Sequence, residues 1–324
     1  MAGAMRAPEA AQAARRGTGV VERARSVIQV TGPERLAFLD GLLTADVKRL
    51  APGAVAYAAM LNVKARVLGD LFAYDVGEGY LLDTDRSLGP KVLSHLQTTR
   101  VSEVVDVLDR TADFGRLTVL GAGAEFLLQV VLGIPPPEPG RWVESGGALV
   151  ARTDELGLPG FEFLTAPDDL ALRDRLLGAG ALRLAEEAWE VLRIEAGVPR
   201  YGRDVDEGTI ALEAPLHRAI AFDKGCYVGQ EVVARVANRG HLKRYLVGLT
   251  LESDLPPPRG SKLWASTTEV GEVTSSAYSA TLGSVVALAY VKAELDVPGT
   301  VMELREPRGA VQARVSALPF VPVA

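Results

Sequence analysis

Glu195 is a carboxylate placed where a helix needs an apolar residue. On a helical wheel begun at Leu184, Glu195 lies about 20° from the starting direction, in the same stripe as Ala188 and Val191. Burying an unpaired carboxylate is costly, so Glu195 must have an internal partner such as an arginine, lie at an exposed helix end, or bind a ligand. Two adjacent N–H donors, as on the edge of a pterin or a purine, would match its two oxygens.

Asp70 is a second carboxylate in apolar surroundings. It lies in a predicted strand over residues 66–74, on the face that also carries Leu68 and Phe72. Gly69 beside it permits close approach of a backbone or a ligand. A carboxylate here can act as a general base or orient a ligand amine. The alternative is an aspartate that caps a turn at a bulge or strand end.

The third candidate site is residues 223–231, DKGCYVGQE, which contain the single cysteine, Cys226. Valines at four-residue spacing from Val228 predict a helix that begins just after Cys226. Helix N-terminal amides and the nearby Lys224 would favour a reactive thiolate. The alternative is a small buried cysteine that only fills space.

Composition excludes several functional classes. The chain has 324 residues, one cysteine and a net charge of −6. It therefore forms no intrachain disulfide and no all-cysteine metal site, and we expect no stable metal. Acidic net charge argues against direct nucleic-acid binding. The longest apolar runs are too short for a membrane-spanning helix, and one cysteine without an apolar export segment indicates the cytoplasm.

The elements that must position these residues indicate an α+β protein. Strands and helices alternate in the first part of the chain, and short alternating apolar runs after residue 242 predict an all-β barrel. The predicted barrel strands are residues 245–251, 262–264, 271–275, 285–291, 301–304 and 311–315.

Four segments carry a resemblance to a known family. They are YAAMLN with GDL (residues 57–71), LRIEAGVPRYG (192–202), the C-terminal GEVTS and ALAYV runs (271–291), and KGCYVGQE (224–231). Together they resemble the folate-binding YgfZ/T-protein family, in which T-protein is the aminomethyltransferase of the glycine cleavage system. The KGCYVGQE segment resembles the YgfZ branch and its eukaryotic iron–sulfur relatives.

The resemblance implies a three-domain fold around a central folate channel. It comprises two α+β domains with antiparallel sheets and ferredoxin-like elements, and a C-terminal β-barrel. The implied division is a flexible tail (1–25), a discontinuous domain 1 (26–46 plus 115–241), domain 2 (47–114) and the barrel (242–324).

The resemblance also implies roles for single residues. Catalytic roles fall to Cys226, Asp70 and Lys224, with Lys224 tuning the thiol of Cys226 and with Cys226 a transient iron–sulfur ligand. Glu195 would hold the pterin ring, and the other folate-binding residues would be Tyr57, Asp70, Asn62, Arg66 and Thr84. Support of the cysteine motif would come from Gly225, Tyr227, Gly229, Gln230 and Glu231.

The function implied first is tetrahydrofolate binding, or binding of a one-carbon derivative, in support of iron–sulfur enzyme maturation or repair. Its partners would be iron–sulfur client or assembly proteins, with an extension to transfer-RNA modification. One alternative is a folate-dependent aminomethyltransferase or demethylase that uses Asp70. Another is a non-catalytic adaptor with a vestigial folate site.

Overall fold

Two mixed helix–sheet layers and a closed barrel make up the protein. A computed structural model describes residues 5–167, 169–240, 242–306 and 309–322. The helices are α1 (Ala7–Arg16), α2 (Arg35–Leu42), α3 (Gly89–Thr99), α4 (Ala124–Leu132), α5 (Leu170–Gly178), α6 (Glu186–Glu195) and α7 (Gln230–Arg239). The strands before the barrel are β1 (Gly19–Glu22), β2 (Arg25–Thr31), β3 (Val55–Leu61), β4 (Val67–Asp75), β5 (Gly79–Asp85), β6 (Asp106–Asp109), β7 (Gly115–Leu120), β8 (Trp142–Ser145), β9 (Ala148–Arg152), β10 (Gly160–Thr165) and β11 (Leu182–Leu184).

Sheet 2, as we call the five-stranded sheet with order β3-β4-β5-β2-β6, is antiparallel throughout. Without the edge strand β3, its chain order β2-α2-β4-β5-α3-β6 is the βαββαβ arrangement of ferredoxin-like units. One face is covered by α2 and α3, whose Leu39 and Val92 pack with Leu71 of β4. Asp70 points to the opposite face, because neighbouring strand residues alternate.

Sheet 1, with order β11-β1-β7-β10-β9-β8, packs against that opposite face. Phe72 and Tyr74 of sheet 2 share a buried cluster with Ala151 and Leu164 of sheet 1. The far face of sheet 1 is covered by α4 and α5. Asp70 therefore lies between two sheets, where partial exclusion of water changes the chemistry of a carboxyl group.

Charged side chains also lie between the two sheets. Arg25 donates to Asp83 at 3.0 Å, and Arg116 contacts both Asp83 and Glu162. Buried charges are tolerated when they are paired in this way. Burial raises the pKa of Glu162, while the neighbouring Arg116 opposes that rise.

The C-terminal barrel confirms the sequence prediction. Its strands are β12 (Arg244–Leu251), β13 (Lys262–Ala265), β14 (Thr268–Ser279), β15 (Ser284–Lys292), β16 (Val301–Glu306) and β17 (Gly309–Ser316). They close in the order β12-β15-β14-β13-β16-β17. The mixed α+β class with antiparallel sheets is confirmed as well.

The flexible tail expected for residues 1–25 is wrong for residues 5–25, the part of this segment that the structure describes. Helix α1 buries Ala10, Ala11 and Ala14, and β1 is an inner strand of sheet 1 between β7 and β11. The small alanine side chains let α1 pack closely against α6, so the segment is held by tertiary contacts.

The discontinuous domain assignment also differs from the strand pairing. Strand β2 pairs with β5 and β6, so residues 25–31 belong to the sheet of residues 55–109. The resemblance instead predicts that they group with residues 115–241, whose strands form sheet 1. Among the described residues, no helix is long and apolar enough to cross a membrane.

Candidate functional site

Tyr57 and Asp70 form a hydrogen-bonded pair on the inner face of sheet 2. Strands β3 and β4 pair antiparallel with Tyr57 opposite Phe72 and Ala59 opposite Asp70, which makes Tyr57 and Asp70 diagonal neighbours. The Tyr57 hydroxyl donates to Oδ2 of Asp70 at 2.8 Å. Both side chains are half-buried, so the pair is held in place and keeps some exposure.

The surroundings of this pair favour protonated forms. Burial raises the pKa of Asp70, while the hydrogen bond from Tyr57 and the charge of Arg25 lower it. Burial also raises the pKa of Tyr57 well above its usual value, and the negative charges of Asp70 and Glu155 add to that rise. Asp70 is thus a carboxyl group suited to holding and releasing a proton nearer neutral pH than a solvated aspartate.

A cavity of about 370 Å³ adjoins the pair. Tyr57 and Phe72 form one wall, with their ring centres 5.1 Å apart. The remaining lining residues come from the β9–β10 loop, the turn after α6, the 215–218 segment and the C-terminal segment: Glu155, Leu156, Gly157, Ala196, Gly197, Val198, Pro199, Pro215, His217, Arg218, Leu318 and Pro319. A mostly apolar cavity with a few polar groups is the usual form of a small-molecule site.

Glu155 is the acidic side chain of this lining. Its Oε2 accepts from Nη1 of Arg23 at 2.8 Å, and 17% of its side chain is exposed. The guanidinium of Arg23 stacks 3.8 Å from the ring centre of Trp189, which fixes its direction. Arg218 donates to the backbone carbonyls of residues 153–155 and so clamps the loop that carries Glu155.

Glu195 has an internal partner, one of the alternatives left open by the sequence. It is the last residue of α6 and is fully buried. Its Oε2 accepts from Arg15 of α1 at 2.9 Å, and its Oε1 accepts from the Ser279 hydroxyl at 2.6 Å. Its carboxylate thus ties α1, α6 and the barrel together, whereas its neighbours Ala196 and Gly197 line the cavity.

The other expected folate-binding residues have backbone partners. Asn62 accepts from the amides of Lys64 and Arg66 at 2.9 and 3.1 Å and so shapes the β3–β4 turn. The Arg66 guanidinium donates to the Gly208 carbonyl. Thr84 donates to the backbone carbonyl of Asp70 at 2.7 Å and thereby supports the strand that carries it.

The structure corrects the role expected for Lys224. Its buried ammonium donates to the carbonyls of Asp40, Leu43 and Ala45 at 2.7–2.9 Å and pairs with the Asp40 carboxylate at 3.1 Å. These three bonds use all of its donors at the C-terminal end of α2, where a cation is favourable. Lys224 therefore anchors its segment and has no proton left for the thiol of Cys226.

The helix expected to begin just after Cys226 begins later, at Gln230. Gly229 precedes it with φ +88°, and a Cβ there would lie 2.7 Å from the Asn62 carbonyl, so this position needs glycine. Gln230 donates to the Lys224 carbonyl at 3.3 Å, and Tyr227 is buried. Gly225 and Glu231 are exposed. The motif is thus a loop anchored at both ends that leaves Cys226 exposed.

A larger open cleft of about 1060 Å³ lies on the outer side of α6. Its central cation, Arg200, is already paired with Asp85, Glu186 and Glu190 at 2.8–3.1 Å. Neither Tyr57 nor Asp70 lines this cleft, whereas Tyr57 lines the smaller cavity, so the smaller cavity is the better candidate site. Within the described ranges, no group of histidine, cysteine, aspartate and glutamate residues could hold a metal ion.

Sequence reasoning missed Glu155, Phe72, His217, Arg218 and Arg15. The strand pattern places Phe72 on the face of Asp70 but does not mark it as a site residue. The Gly- and Pro-containing loop at residues 153–160, TDELGLPG, was a detectable signal for a site-forming connection between strands. Pairing of Arg15 with Glu195 spans 180 positions and has no local signature.

Comparison with known proteins identifies related chains. Residues 6–224 match the model of the GCVT N-terminal domain, and residues 244–322 match that of the glycine cleavage T-protein C-terminal barrel domain. An aminomethyltransferase of Rubrobacter xylanophilus is 35% identical over 297 residues, covering 89% of this chain and 79% of the relative. One of Thermus thermophilus is 34% identical over 322 residues, covering 96% of this chain and 89% of the relative.

A solved structure has the same fold. The glycine cleavage system aminomethyltransferase T from Bartonella henselae superposes with a TM-score of 0.89 at 24% identity, over 97% of this chain and 89% of that one. The relatives are named aminomethyltransferases, which favours that alternative over the YgfZ branch.

Proposed function

Because this chain belongs to the glycine cleavage T-protein family, we propose that it is a folate-dependent one-carbon transferase of the aminomethyltransferase type. Its ligand would be tetrahydrofolate or a one-carbon derivative, and it would act in the cytoplasm. The observation that carries the proposal is the Tyr57–Asp70 hydrogen bond beside a ligand-sized cavity.

The cavity has the chemistry that a folate requires. The rings of Tyr57 and Phe72 offer an apolar surface for a flat heteroaromatic ring. Glu155 provides an acceptor for ring N–H groups, while His217 and Arg218 provide donors at the exposed side. A mostly apolar lining with these few polar groups fits a ligand that is aromatic at one end and polar along its edges.

Tetrahydrofolate supplies a ring-linked amine nitrogen that accepts the one-carbon unit. In this protein Asp70 is the group placed to exchange a proton with a ligand nitrogen, as general acid or base. Tyr57 holds the Asp70 carboxyl in one orientation, and Thr84 fixes the backbone of the same residue. The two packed sheets partly exclude water from this side of the pair, which strengthens its electrostatic interactions.

Calorimetric titration of tetrahydrofolate into the full chain tests the proposal. We expect saturable binding at one site per chain, and consumption of tetrahydrofolate when an aminomethylated donor is added. Cys226→Ser should change neither quantity, because the thiol lies on an exposed loop apart from the cavity lining. If the wild-type chain does not bind tetrahydrofolate, the proposal is wrong.

Tyr57→Phe should move the pH dependence of transfer. The Tyr57 hydrogen bond lowers the pKa of Asp70, so its loss raises that pKa and keeps Asp70 protonated to higher pH. One hydrogen bond to a charged group is worth about 1.5 kcal/mol, or about one pH unit. If Asp70 acts as the general base, its ionisation governs the acidic limb of kcat/KM, and this limb should therefore move upward by about one unit.

Phe72→Leu is the matched control for Tyr57→Phe. It alters the same cavity wall without touching the hydrogen bond, so its acidic limb should stay in place. An unchanged or lower limb in Tyr57→Phe would show that Asp70 does not control the reaction.

A second candidate function is the YgfZ-type role in iron–sulfur enzyme maturation, through client or assembly proteins. It is favoured by the exposed Cys226 on a loop held at one end by Lys224 and at the other by Gly229. A single thiolate cannot hold a cluster alone, so the cluster would be shared with a partner. If Cys226→Ser removes the protein's function and Asp70→Asn spares it, this second function replaces the first.

A further inference from the structure

Arg25 is a cation in the same cross-strand row of sheet 2 as Asp70. Strand β2 pairs Arg25 with Asp85 of β5. Strand β5 pairs Asp83 with Phe72 of β4, so two residues further along this register Asp85 lies opposite Asp70. A hydrogen bond of 2.7 Å from a β5 side chain to the Asp70 carbonyl shows that the two strands are still adjacent there. Arg25 and Asp70 are thus two strand spacings apart, about 10 Å, on the same face of the sheet.

The Arg25 side chain is held between the two sheets. Its Nε donates to Oδ1 of Asp83 at 3.0 Å, and its Nη2 donates to the Asp83 backbone carbonyl at 3.1 Å. Only 8% of the Arg25 side chain is exposed, and the Asp83 side chain is fully buried. Oδ2 of Asp83 also pairs with Arg116 of sheet 1. Because one carboxylate serves two guanidinium groups, Asp83 fixes the position of Arg25 but only partly neutralises its charge.

Two acidic groups near Asp70 have cations of their own. Asp85 accepts from Arg200, a residue of the outer cleft, at 3.1 Å. Glu155 accepts from Arg23 at 2.8 Å. These pairings direct both anions away from the buried cation on β2, whose charge therefore acts on Asp70.

The groups around Asp70 act on its carboxyl in opposite directions. Burial raises the pKa of Asp70 most, and the negative charges of Glu155 and Asp85 add to that rise. The hydrogen bond from Tyr57 and the positive charge of Arg25 lower the same pKa. The charged and titratable groups that lie between the sheets around Asp70 are Tyr57 of β3, Arg25 of β2, Asp83 and Asp85 of β5, and Arg23, Arg116, Glu155 and Glu162 on the side of sheet 1.

We propose that Arg25 is a positioning residue for proton transfer, whose fixed positive charge keeps Asp70 ionised at neutral pH so that Asp70 can act as the general base. Burial alone favours the protonated carboxyl, which cannot accept a proton. Arg25 is not among the described residues that line the cavity, so it acts through Asp70 and not on the ligand. The kinetic part of this inference rests on the proposed function, whereas the charge of Asp70 can be measured without folate.

The first measurement is a carbon-13 NMR titration of the aspartate carboxyl groups in the full chain. The Asp70 signal is identified by its absence in Asp70→Asn. We expect Asp70 to titrate below pH 7 in the wild type and its pKa to rise by about one unit in Arg25→Met, as for a unit charge about 10 Å away at an effective dielectric constant of about 20. Methionine fills much of the same space, and Asp83 keeps its pairing with Arg116 in this variant.

Two control variants separate charge from structure. Arg25→Lys retains the positive charge. Arg35→Met removes an equal charge from α2, on the other face of sheet 2, where the Arg35 guanidinium donates to the Gly32 and Gly77 carbonyls. Both controls should leave the pKa of Asp70 within about 0.3 unit of the wild-type value. A merely structural role of Arg25 would lower stability in Arg25→Met without moving this pKa.

The second measurement is the pH dependence of one-carbon transfer. With Asp70 as the general base, the acidic limb of kcat/KM should move upward by about one unit in Arg25→Met and stay in place in Arg25→Lys and Arg35→Met. Tetrahydrofolate binding should stay within about three-fold of the wild type, because Arg25 lies outside the cavity lining.

The outcomes separate the inference from the proposed function. An unchanged Asp70 pKa in a folded Arg25→Met, or an equal rise in Arg35→Met, overturns the inference. An Asp70 that is still protonated at pH 7 in the wild type also overturns it and needs no variant, so a misfolded Arg25→Met leaves the test intact. A raised Asp70 pKa without a matching move of the kinetic limb confirms that Arg25 sets the charge of Asp70 and refutes the proposed role of Asp70 in transfer.

Discussion

Replacing Asp70 with asparagine should lower kcat for one-carbon transfer about 10²–10⁴-fold, the usual contribution of a general acid or base. Asparagine has nearly the same shape but cannot take up or release the proton. The Thr84 bond goes to the backbone carbonyl and survives, and the Tyr57 hydroxyl can still donate to the amide oxygen. The local structure should therefore be kept while the proton transfer is lost.

The measurement is steady-state transfer together with calorimetric binding of tetrahydrofolate. Binding should change by less than about ten-fold, because the lost function is realised during reaction and not on binding. Asp83→Asn is an unsuitable control, since Asp83 pairs with Arg25 and Arg116. Asp223→Asn is suitable, because Asp223 is an exposed aspartate whose partner Arg49 is also exposed.

Two results would contradict this role of Asp70. Full turnover in Asp70→Asn would remove the carboxyl group from the reaction. Loss of activity in Cys226→Ser, together with full activity in Asp70→Asn, would show that the loop of Cys226 carries the function. In either case the cavity would remain a binding site without the proposed chemistry.

Short apolar runs made much of the fold predictable. In the barrel strands β12 and β15, buried apolar residues such as Leu249 and Ala287 follow one another along the strand, and turns that contain glycine or proline separate the barrel strands. Each strand can therefore be recognised from its own residues, and the closed barrel follows from six of them. Asp70 could be found because a carboxylate interrupts such a pattern.

Helix α1 was missed because its buried face is made of alanines. Ala10, Ala11 and Ala14 have little hydrophobic area, so they leave a weak apolar period in the sequence. These small side chains stabilise α1 because they let it pack closely on α6, and α6 lies far along the chain. Helix propensity alone therefore does not predict α1.

Partners of the charged residues could not be predicted for the same reason. Lys224 was assigned to its sequence neighbour Cys226, but its donors reach the end of α2, more than 170 positions earlier. Glu155 had no local feature that marked it as a site residue. Its importance comes from Arg23 and the cavity, which exist only in the folded chain.

Replacing Glu195 with alanine should lower the free energy of unfolding by about 3 kcal/mol, the lower end of the range for breaking a buried ion pair. The change leaves Arg15 and the buried Ser279 hydroxyl without their acceptor. We choose the lower end because the Arg15 side chain keeps 11% exposure and can recover some hydration. Chemical denaturation measures the loss, and Glu187→Ala, at an exposed position of the same helix, should change stability by less than about 0.5 kcal/mol.

The double variant Arg15→Leu/Glu195→Leu separates a structural role of Glu195 from a ligand-binding one. Replacing a buried pair with apolar residues is often neutral, so the double variant should be more stable than Glu195→Ala and should still bind tetrahydrofolate. The resemblance to the folate-binding family predicts the reverse, that binding fails in both variants whatever their stability. Loss of tetrahydrofolate binding in a well-folded double variant would thus show that Glu195 binds the pterin. In the wild type, Arg15 would then have to leave the Glu195 carboxylate when folate binds. Retained binding would leave Glu195 as the residue that joins α1, α6 and the barrel around the cavity.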